Sequence, residues 1–477
     1  MSTFFIEQFG CRATQADGAA IERQLRQQGC ALASDSSTAD VVVLNTCTVT
    51  AAADAQARDA IRKIHAANPA TRILVTGCYA QRAPEEIATL PGVSFVVGNS
   101  HKPQIPTLVH SILPVSKNQF VAVEFAWPDN GGAPPARSTK EPVSIHPAPI
   151  LTGDIFELTD VLVAPVLGGE GNHTRPTLKI QDGCNSRCSF CVIPFVRGKS
   201  RSLPPQTVLS EIQRLAGFGF REIVLSGINL GTYGRDLVPR VEFLDLLRRV
   251  LDETSVERLR VSSIEPLDVT QDLVHFFASN ERIAPHFHMP LQSASDRVLA
   301  AMHRWYRAEH YARRVELIRE RLPNAAIGAD VIAGFPGESA ADHGATLDFI
   351  AARPFTYLHV FSYSPRPGTK AVSLPGQLPS HIIKTRAREL RALADSKSAA
   401  FRRAQIGRTL RVLTLRRDPA SAPGLTPALS ENFLQVCLPA ALPPNQFVDA
   451  TVTRDDNKHL LAEPAESLAL SLAGARS

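Results

Sequence analysis

No stretch of about 18 apolar residues occurs in the 477-residue chain, which excludes a membrane-crossing helix. The opening residues, Met1 to Glu7, lack a basic start followed by an apolar core, so no secretory leader is expected. There is no large excess of one charge: 51 basic against 46 acidic side chains leave a net +5, which argues for no particular partner. Nor is a disulfide framework expected. Eight cysteines in a chain without a leader should stay reduced in the cytoplasm, and six of them fall into two patterned sets that point to metal ligation.

Composition is that of a globular protein, with 44% hydrophobic and 20% charged residues, and the length implies about three domains. Residues 1–110 alternate between strand-like runs (Phe4 to Phe9, Val41 to Leu44, Arg72 to Thr76, Val93 to Val97) and helical ones (Gln15 to Gln28, Ala51 to Ala67). That alternation predicts an N-terminal parallel α/β sheet domain. Residues 111–172 are rich in Pro and Gly and read as an irregular linker. Residues 173–400 offer six strand candidates: Leu178 to Gln181, Glu222 to Leu225, Leu259 to Ser263, His286 to Met289, Ile327 to Ile332 and Tyr357 to Phe361. Six strand–helix units predict a partial (β/α)6 barrel with its chemistry at the C-terminal strand ends. Residues 401–467 carry short strand runs at Leu410 to Leu415, Phe433 to Cys437 and Phe447 to Val452, which predict a small all-β barrel.

The most specific signal is Cys184-Asn185-Ser186-Arg187-Cys188-Ser189-Phe190-Cys191, directly after the first barrel strand. Three thiolates on one loop can hold three corners of a cubane cluster and leave the fourth iron open to a ligand. Structural zinc sites usually take four ligands, and no fourth Cys or His lies near in sequence. The CxxxCxxC run, with an aromatic before its last cysteine, resembles the radical S-adenosylmethionine (SAM) superfamily. The resemblance implies that the open iron chelates SAM and that one electron cleaves it to a 5′-deoxyadenosyl radical. It also makes Phe190, Gly227, Glu265, Gln292 and Asp330, most of them at or just past strand ends, candidates for SAM contacts. An ordinary strand-to-helix turn would explain Gly227 as well, and a helix-capping role Glu265 or Asp330.

Cys11, Cys47 and Cys78 are distant in sequence, yet each falls just past a predicted strand of the first domain. Neighbouring parallel strands lie about 4.8 Å apart, so these thiols are expected to converge where open α/β sheets bind ligands. A second cluster with one open iron is therefore expected. Cys30 and Cys437 have no such placement and are read as structural.

Two three-cysteine sets, a radical SAM barrel and a terminal β module together resemble the methylthiotransferase family over nearly the whole chain. Asn45-Thr46-Cys47-Thr48-Val49-Thr50, Thr76-Gly77-Cys78-Tyr79-Ala80-Gln81, Lys179 to Cys184, Arg197 to Ser202 and Phe361 to Thr369 are most similar to the branch that acts on threonylcarbamoyladenosine in tRNA. One departure stands out: relatives carry Asn three residues after the first cysteine, where this chain has Thr14, expected to serve as a helix cap in its place.

The resemblance implies two [4Fe-4S] clusters, SAM, and methylthiolation of C2 of the N6-threonylcarbamoyladenosine at position 37, 3′ of the anticodon. It also implies an electron donor of flavodoxin or ferredoxin type and a sulfur source. The alternatives are isopentenyladenosine in tRNA, a ribosomal-protein aspartate, or an Fe–S protein that binds RNA without catalysis. For the tRNA anticodon stem-loop, basic residues between His381 and Arg411, including Arg402 and Arg403, suit phosphate contacts, with Arg197, Lys199 and Arg201 as further candidates. The terminal module is similar to the TRAM domain around Gly424 to Thr426 and Ser430 to Val436.

Overall fold

The computed structural model describes residues 2–112, 147–162, 164–166, 174–417 and 424–465. They fall into two compact units. Met1–Phe9, Ile21–Cys47 and Ala52–Asp154 bound the first; Gly10–Ala20, Thr48–Ala51 and Ile155–Ser477 bound the second.

In chain order the first elements are β1 (Thr3–Gln8), α1 (Arg12–Gln27), β2 (Ala31–Leu32), β3 (Val41–Thr46), α2 (Ala51–Ala67), β4 (Arg72–Gly77), α3 (Cys78–Arg82), α4 (Pro84–Ala88), β5 (Val93–Gly98), α5 (Ile105–Ile112) and β6 (Ile150–Leu151). The six strands make one parallel sheet in the order β2-β1-β3-β4-β5-β6. The unbroken apolar run of β3 follows from burial on both faces. Val41 and Val43 pack with Ile21, Leu25, Ile105 and Val109, whereas Val42 and Leu44 pack with Ile61, Ile64, Tyr79 and Ile87. Cys30 belongs to the first of these two cores.

The second unit continues with β7 (Pro165–Val166), β8 (Thr177–Lys179), β9 (Gln181–Asp182), α6 (Ile193–Arg197), β10 (Arg201–Ser202), α7 (Pro205–Gly217), β11 (Glu222–Ser226), α8 (Phe243–Glu253), β12 (Arg258–Val261), α9 (Gln271–Ala278), β13 (His286–His288), α10 (Asp296–Ala301), α11 (Ala308–Arg321), β14 (Ala326–Ala333), α12 (Ala340–Ala352), β15 (Tyr357–Ser362) and α13 (Ser380–Arg403). Strands β8, β11 and β12 run parallel, as do β13, β14 and β15, and a Leu259–Ile283 bridge links the two sets into the expected six-stranded partial barrel. Period-two alternation decides which side chains face inward. Leu178, Ile223, Leu225, Leu259, Phe287, Ile327 and Val331 join the main hydrophobic core. The opposite face carries Lys179, Glu222, Arg260, His286, His288, Asp330, Tyr357 and His359, so the lumen is polar.

The chain ends in β16 (Thr409–Thr414), β17 (Thr426–Ser430), β18 (Gln435–Leu438), β19 (Phe447–Asp455) and β20 (Leu460–Pro464), closed in the order β16-β17-β18-β20-β19. Five strands replace the three expected. Pro427 and Pro464 disguised β17 and β20, because proline argues against a strand. The expected start at Phe433 is also corrected: this residue sits at φ 69° in the turn before β18. Arg258 and Arg260 tie this small barrel to the larger one by donating to the carbonyls of Arg411 (2.8 Å), Glu431 (3.0 Å) and Ser430 (3.2 Å).

Of the expected linker 111–172, residues 113–146, 163 and 167–172 lie outside the described residues. The described remainder is not merely a connector. β6 completes the first sheet, and β7 pairs antiparallel with β8. Among the described residues no helix is long and apolar enough to cross a membrane.

Candidate active site

The CxxxCxxC loop leaves β9 through Gly183, whose φ of 71° and close approach to the Lys199 carbonyl (1.9 Å from where a Cβ would stand) only glycine permits. The turn lets the Cys184 amide donate to Gly198 O (3.1 Å). Ser189 pins the loop's far end, donating from its amide to Met302 O (3.0 Å) and from its hydroxyl to Ala301 O (2.8 Å). The sulfurs already have hydrogen-bond donors: Cys184 Sγ accepts from the Ser186 amide (3.4 Å), Cys188 Sγ from Arg304 Nη1 (3.3 Å) and Cys191 Sγ from the Ile193 amide. Burial raises the Cys188 thiol against the pull of Arg304, and burial, followed by the neighbouring Cys188, pushes Cys191 up to about 12.

All three thiols are free, so the loop offers three sulfur donors, each with an N–H partner suited to a thiolate.

Beside the loop lies a cavity of about 500 Å³, lined by Cys188, Ser200, Asn229, Glu265, Asp268 and Arg304 among others. Its size is usual for a small-molecule site. Arg304 forms an ion pair with Glu265 while reaching Cys188, so one guanidinium couples a cavity carboxylate to a loop sulfur. On the other flank a smaller cavity of about 220 Å³ is bounded by Cys191, Phe190, Gln292, Asp330, Val49 and Thr50. Thr48 accepts from Arg366 Nη2 (2.8 Å) and the Ala51 amide donates to Ser364 Oγ (3.2 Å), which fixes the segment following Cys47.

Deeper in the lumen, five polar side chains form a chain. Tyr357 Oη bonds with His286 Nε2 (2.7 Å) and His288 Nδ1 (3.0 Å); Asp330 Oδ1 meets His288 Nε2 (3.0 Å) and His359 Nδ1 (3.1 Å). Burial works against the Asp330 charge, but these two imidazoles hold its carboxyl well below the usual range.

In the first unit, Thr46 pairs with Gly77 across β3 and β4, so Cys47 and Cys78 follow directly at adjacent strand ends. Gly77 has φ 100°, and a Cβ there would meet Thr46 O at 2.3 Å. Cys78 Sγ accepts from Asn99 Nδ2 (3.6 Å). Cys11 follows β1 through Phe9 and Gly10 and belongs to the second unit.

Residues 3–98 match the model of the uncharacterized protein family UPF0004, and residues 178–350 that of the radical SAM superfamily. The threonylcarbamoyladenosine tRNA methylthiotransferase MtaB of Aquifex aeolicus (strain VF5) is 36% identical, with 90% of this chain and 95% of that protein covered. The chain belongs to the radical SAM methylthiotransferase family. MtaB of Bacillus subtilis (strain 168) is 35% identical over 84% of this chain and 82% of its own. The tRNA-2-methylthio-N(6)-dimethylallyladenosine synthase of Paenarthrobacter aurescens (strain TC1) is 33% identical over 97% and 85%. Among solved structures, the radical SAM methyltransferase TsrM of Kitasatospora setae, with cobalamin and a [4Fe-4S] cluster bound, superposes with a TM-score of 0.54 at 16% identity. It covers 78% of this chain and 77% of its own, a likeness of fold alone.

Within this methylthiotransferase the five expected SAM residues do not gather in one place. Glu265 lines the larger cavity; Phe190, Gln292 and Asp330 line the smaller; Gly227 lines neither and packs against Gln181 and Leu230. Sequence reasoning missed Arg304, which stands 116 residues from Cys188 and carries no local signal. Asn229, inside the glycine-rich turn, was within reach of it.

The basic candidates need correction. Arg197 is only 2% exposed and forks onto Asp182 (2.9 and 3.0 Å) and Asp17 (3.0 Å), beside Lys179, which pairs with the same two carboxylates. A guanidinium so placed is spent on the fold and cannot meet a phosphate. Arg201 is buried too, donating to the carbonyls of Arg197 and Lys199, and Arg402 pairs with Asp455 (2.9 Å). Lys199 and Arg403 remain exposed. Thr14 is the third residue of α1 rather than its cap, and its hydroxyl lies 3.6 Å from Cys11 Sγ.

Proposed function

We propose that this methylthiotransferase acts on tRNA, at C2 of the N6-threonylcarbamoyladenosine that lies 3′ of the anticodon. Cys184, Cys188 and Cys191 would hold one [4Fe-4S] cluster, and Cys11, Cys47 and Cys78 the other. When bound, the clusters and SAM supply the one-electron chemistry and the methylthio group that no side chain can provide. The chain's own residues bind and orient. Glu265, Asn229 and Asp268 offer hydrogen-bond partners to the amino and hydroxyl groups of SAM in the larger cavity, and Arg304 fixes Glu265.

The observation that carries the choice of nucleoside is the polar lumen. Relatives named for the threonylcarbamoyl and dimethylallyl substrates are almost equally similar to this chain. A lumen walled by His288, Asp330, Tyr357, His359 and Arg260 is polar, a better match for the hydroxyl, urea and carboxylate of threonylcarbamoyl than for an apolar dimethylallyl group. Exposed Lys384, Arg388, Arg391 and Arg403 on α13, next to the terminal barrel, supply phosphate contacts. The reaction also calls for an external electron donor, a sulfur source and a cytoplasmic location, where tRNA is.

The test is nucleoside mass spectrometry of tRNA from cells with and without the gene. The methylthio derivative of threonylcarbamoyladenosine should disappear while its precursor accumulates. Unchanged tRNA overturns the reading, and loss of the dimethylallyl derivative instead reassigns the substrate.

A further inference from the structure

Trp305 is 81% exposed, more than any other aromatic ring among the described residues. Its neighbours in the chain turn the other way. Arg304 reaches inward to Cys188 Sγ (3.3 Å) and Glu265, and buried Tyr306 shares its hydroxyl between the carbonyls of Pro290 and Leu291 (both 2.8 Å). The Arg304 guanidinium also lies over the Tyr306 ring, 4.9 Å from its centroid. Just before them, His303 at φ 57° donates from Nδ1 to Arg187 O (3.1 Å). Held on both sides, the indole cannot fold inward, and its apolar faces stay in water until something covers them.

The ring lines the cavity of about 500 Å³ together with Leu267, itself 45% exposed. A pocket encloses most of a small ligand. A ring this open stands at the mouth instead, and a molecule inside leaves its outer part bare. What covers it comes from outside, and the charge around the mouth says of what kind. Within the cavity Arg304 pairs with Glu265 and Arg235 with Asp268 (2.7 Å), while Asp236 accepts from the Ser202 amide (2.8 Å) and hydroxyl (2.6 Å). At its edge stand three exposed cations with no carboxylate partner among the described residues. Arg187 lies between the lining residues Ser186 and Cys188, Lys199 beside the lining residue Ser200, and Lys370 Nζ donates to His303 Nε2 (3.5 Å). An open aromatic face among cations is the arrangement that takes single-stranded nucleic acid, whose bases stack on the ring while its phosphates meet the cations.

We propose that Trp305 stacks on an unpaired base of the anticodon loop and so holds that loop over the larger cavity. The inference rests on the tRNA reading above and adds a residue that positions the substrate. Stacking uses the flat face that every base has, so it fixes the loop without reading its sequence.

The test uses the holoenzyme with both clusters. Equilibrium binding is measured for the natural chain, W305A and W305F with an anticodon stem-loop that carries N6-threonylcarbamoyladenosine. A matching set of stem-loops replaces each other loop base in turn by an abasic sugar. W305A should weaken binding of the intact stem-loop by about 5- to 100-fold, the range for one base–aromatic stack, and W305F should keep most of the affinity. At one loop position the abasic sugar should cost the natural chain a similar factor and cost W305A nothing more. The inference is overturned if W305A binds as tightly as the natural chain, or if the two losses multiply at every position. A rise in the KM for SAM with an unchanged stem-loop Kd would give the ring to SAM and overturns it as well. A natural chain that binds no stem-loop overturns the tRNA reading itself, and the role of Trp305 with it. Iron is counted in each variant; should W305A lose its clusters, W305L, which keeps apolar bulk without a ring, takes its place in the same comparison.

Discussion

Arg197 donates two hydrogen bonds to Asp182, at 2.9 and 3.0 Å, and a third to Asp17 at 3.0 Å, with all three residues buried. Lys179 completes a four-charge cluster whose formal charges cancel. Removing one member leaves a buried charge without its partner, which costs about 3–5 kcal/mol. R197A should lower stability by that amount in chemical denaturation. The salt dependence of tRNA binding by the folded fraction should not change, and a shallower salt slope would show that Arg197 meets phosphate after all.

Acid should weaken the joint between the two barrels. Burial opposes the Glu222 charge, but Arg260 and Arg175 lower its pKa from 4.5 to about 2. A carboxyl depressed on folding contributes stability above its unfolded value and loses it as pH falls through the folded one. The contribution, on the order of 3 kcal/mol, should be intact at pH 6 and drain between about pH 4.5 and 2. Urea midpoints followed against pH should fall over that window in the natural chain. E222Q, already destabilised, should show a smaller fall there.

Much of this was legible beforehand. Ala51–Ala67 was bounded to the residue, because helix formers with an apolar stripe stop there at polar Asn68, and all six barrel strands were placed. The positions of Cys47 and Cys78 directly after β3 and β4 were also legible from the apolar runs that precede them. What escaped depends on contacts between distant residues. Arg197 and exposed Lys199 look alike in sequence, and only the fold brings Asp17 and Asp182 to one and not the other. β17 and β20 were hidden by prolines at positions where a small barrel tolerates them.

If each trio holds one cluster, serine at Cys184 or Cys188 should bring iron from roughly eight to roughly four per chain. C47S and C78S should do the same, whereas C437S should leave the count unchanged. Iron analysis with electron paramagnetic resonance checks this, and full iron in C47S would dissolve the second site.

Arg304 reaches both Cys188 and Glu265. E265Q weakens that link without touching the loop, so the KM for SAM should rise about tenfold, the scale of one charge-assisted hydrogen bond, with iron retained. An unchanged KM would remove the larger cavity from consideration as the SAM site.

On α13, neutralising exposed Arg388 and Arg391 together should weaken tRNA binding and reduce the salt slope by about 0.7–0.9 per lost contact. R386A should behave differently. This residue is paired with Glu338 (2.6 Å) and buried, so its loss should appear in unfolding and not in the slope.

The terminal barrel closes by a parallel pairing of β18 with β20, so its five strands form a ring. A ring has neither first nor last strand, and no row of unsatisfied amides and carbonyls along an open border. Such a module cannot recruit a partner by adding a strand to itself. Whatever it holds must be gripped by side chains and loops, and two copies have no free border along which to zip together.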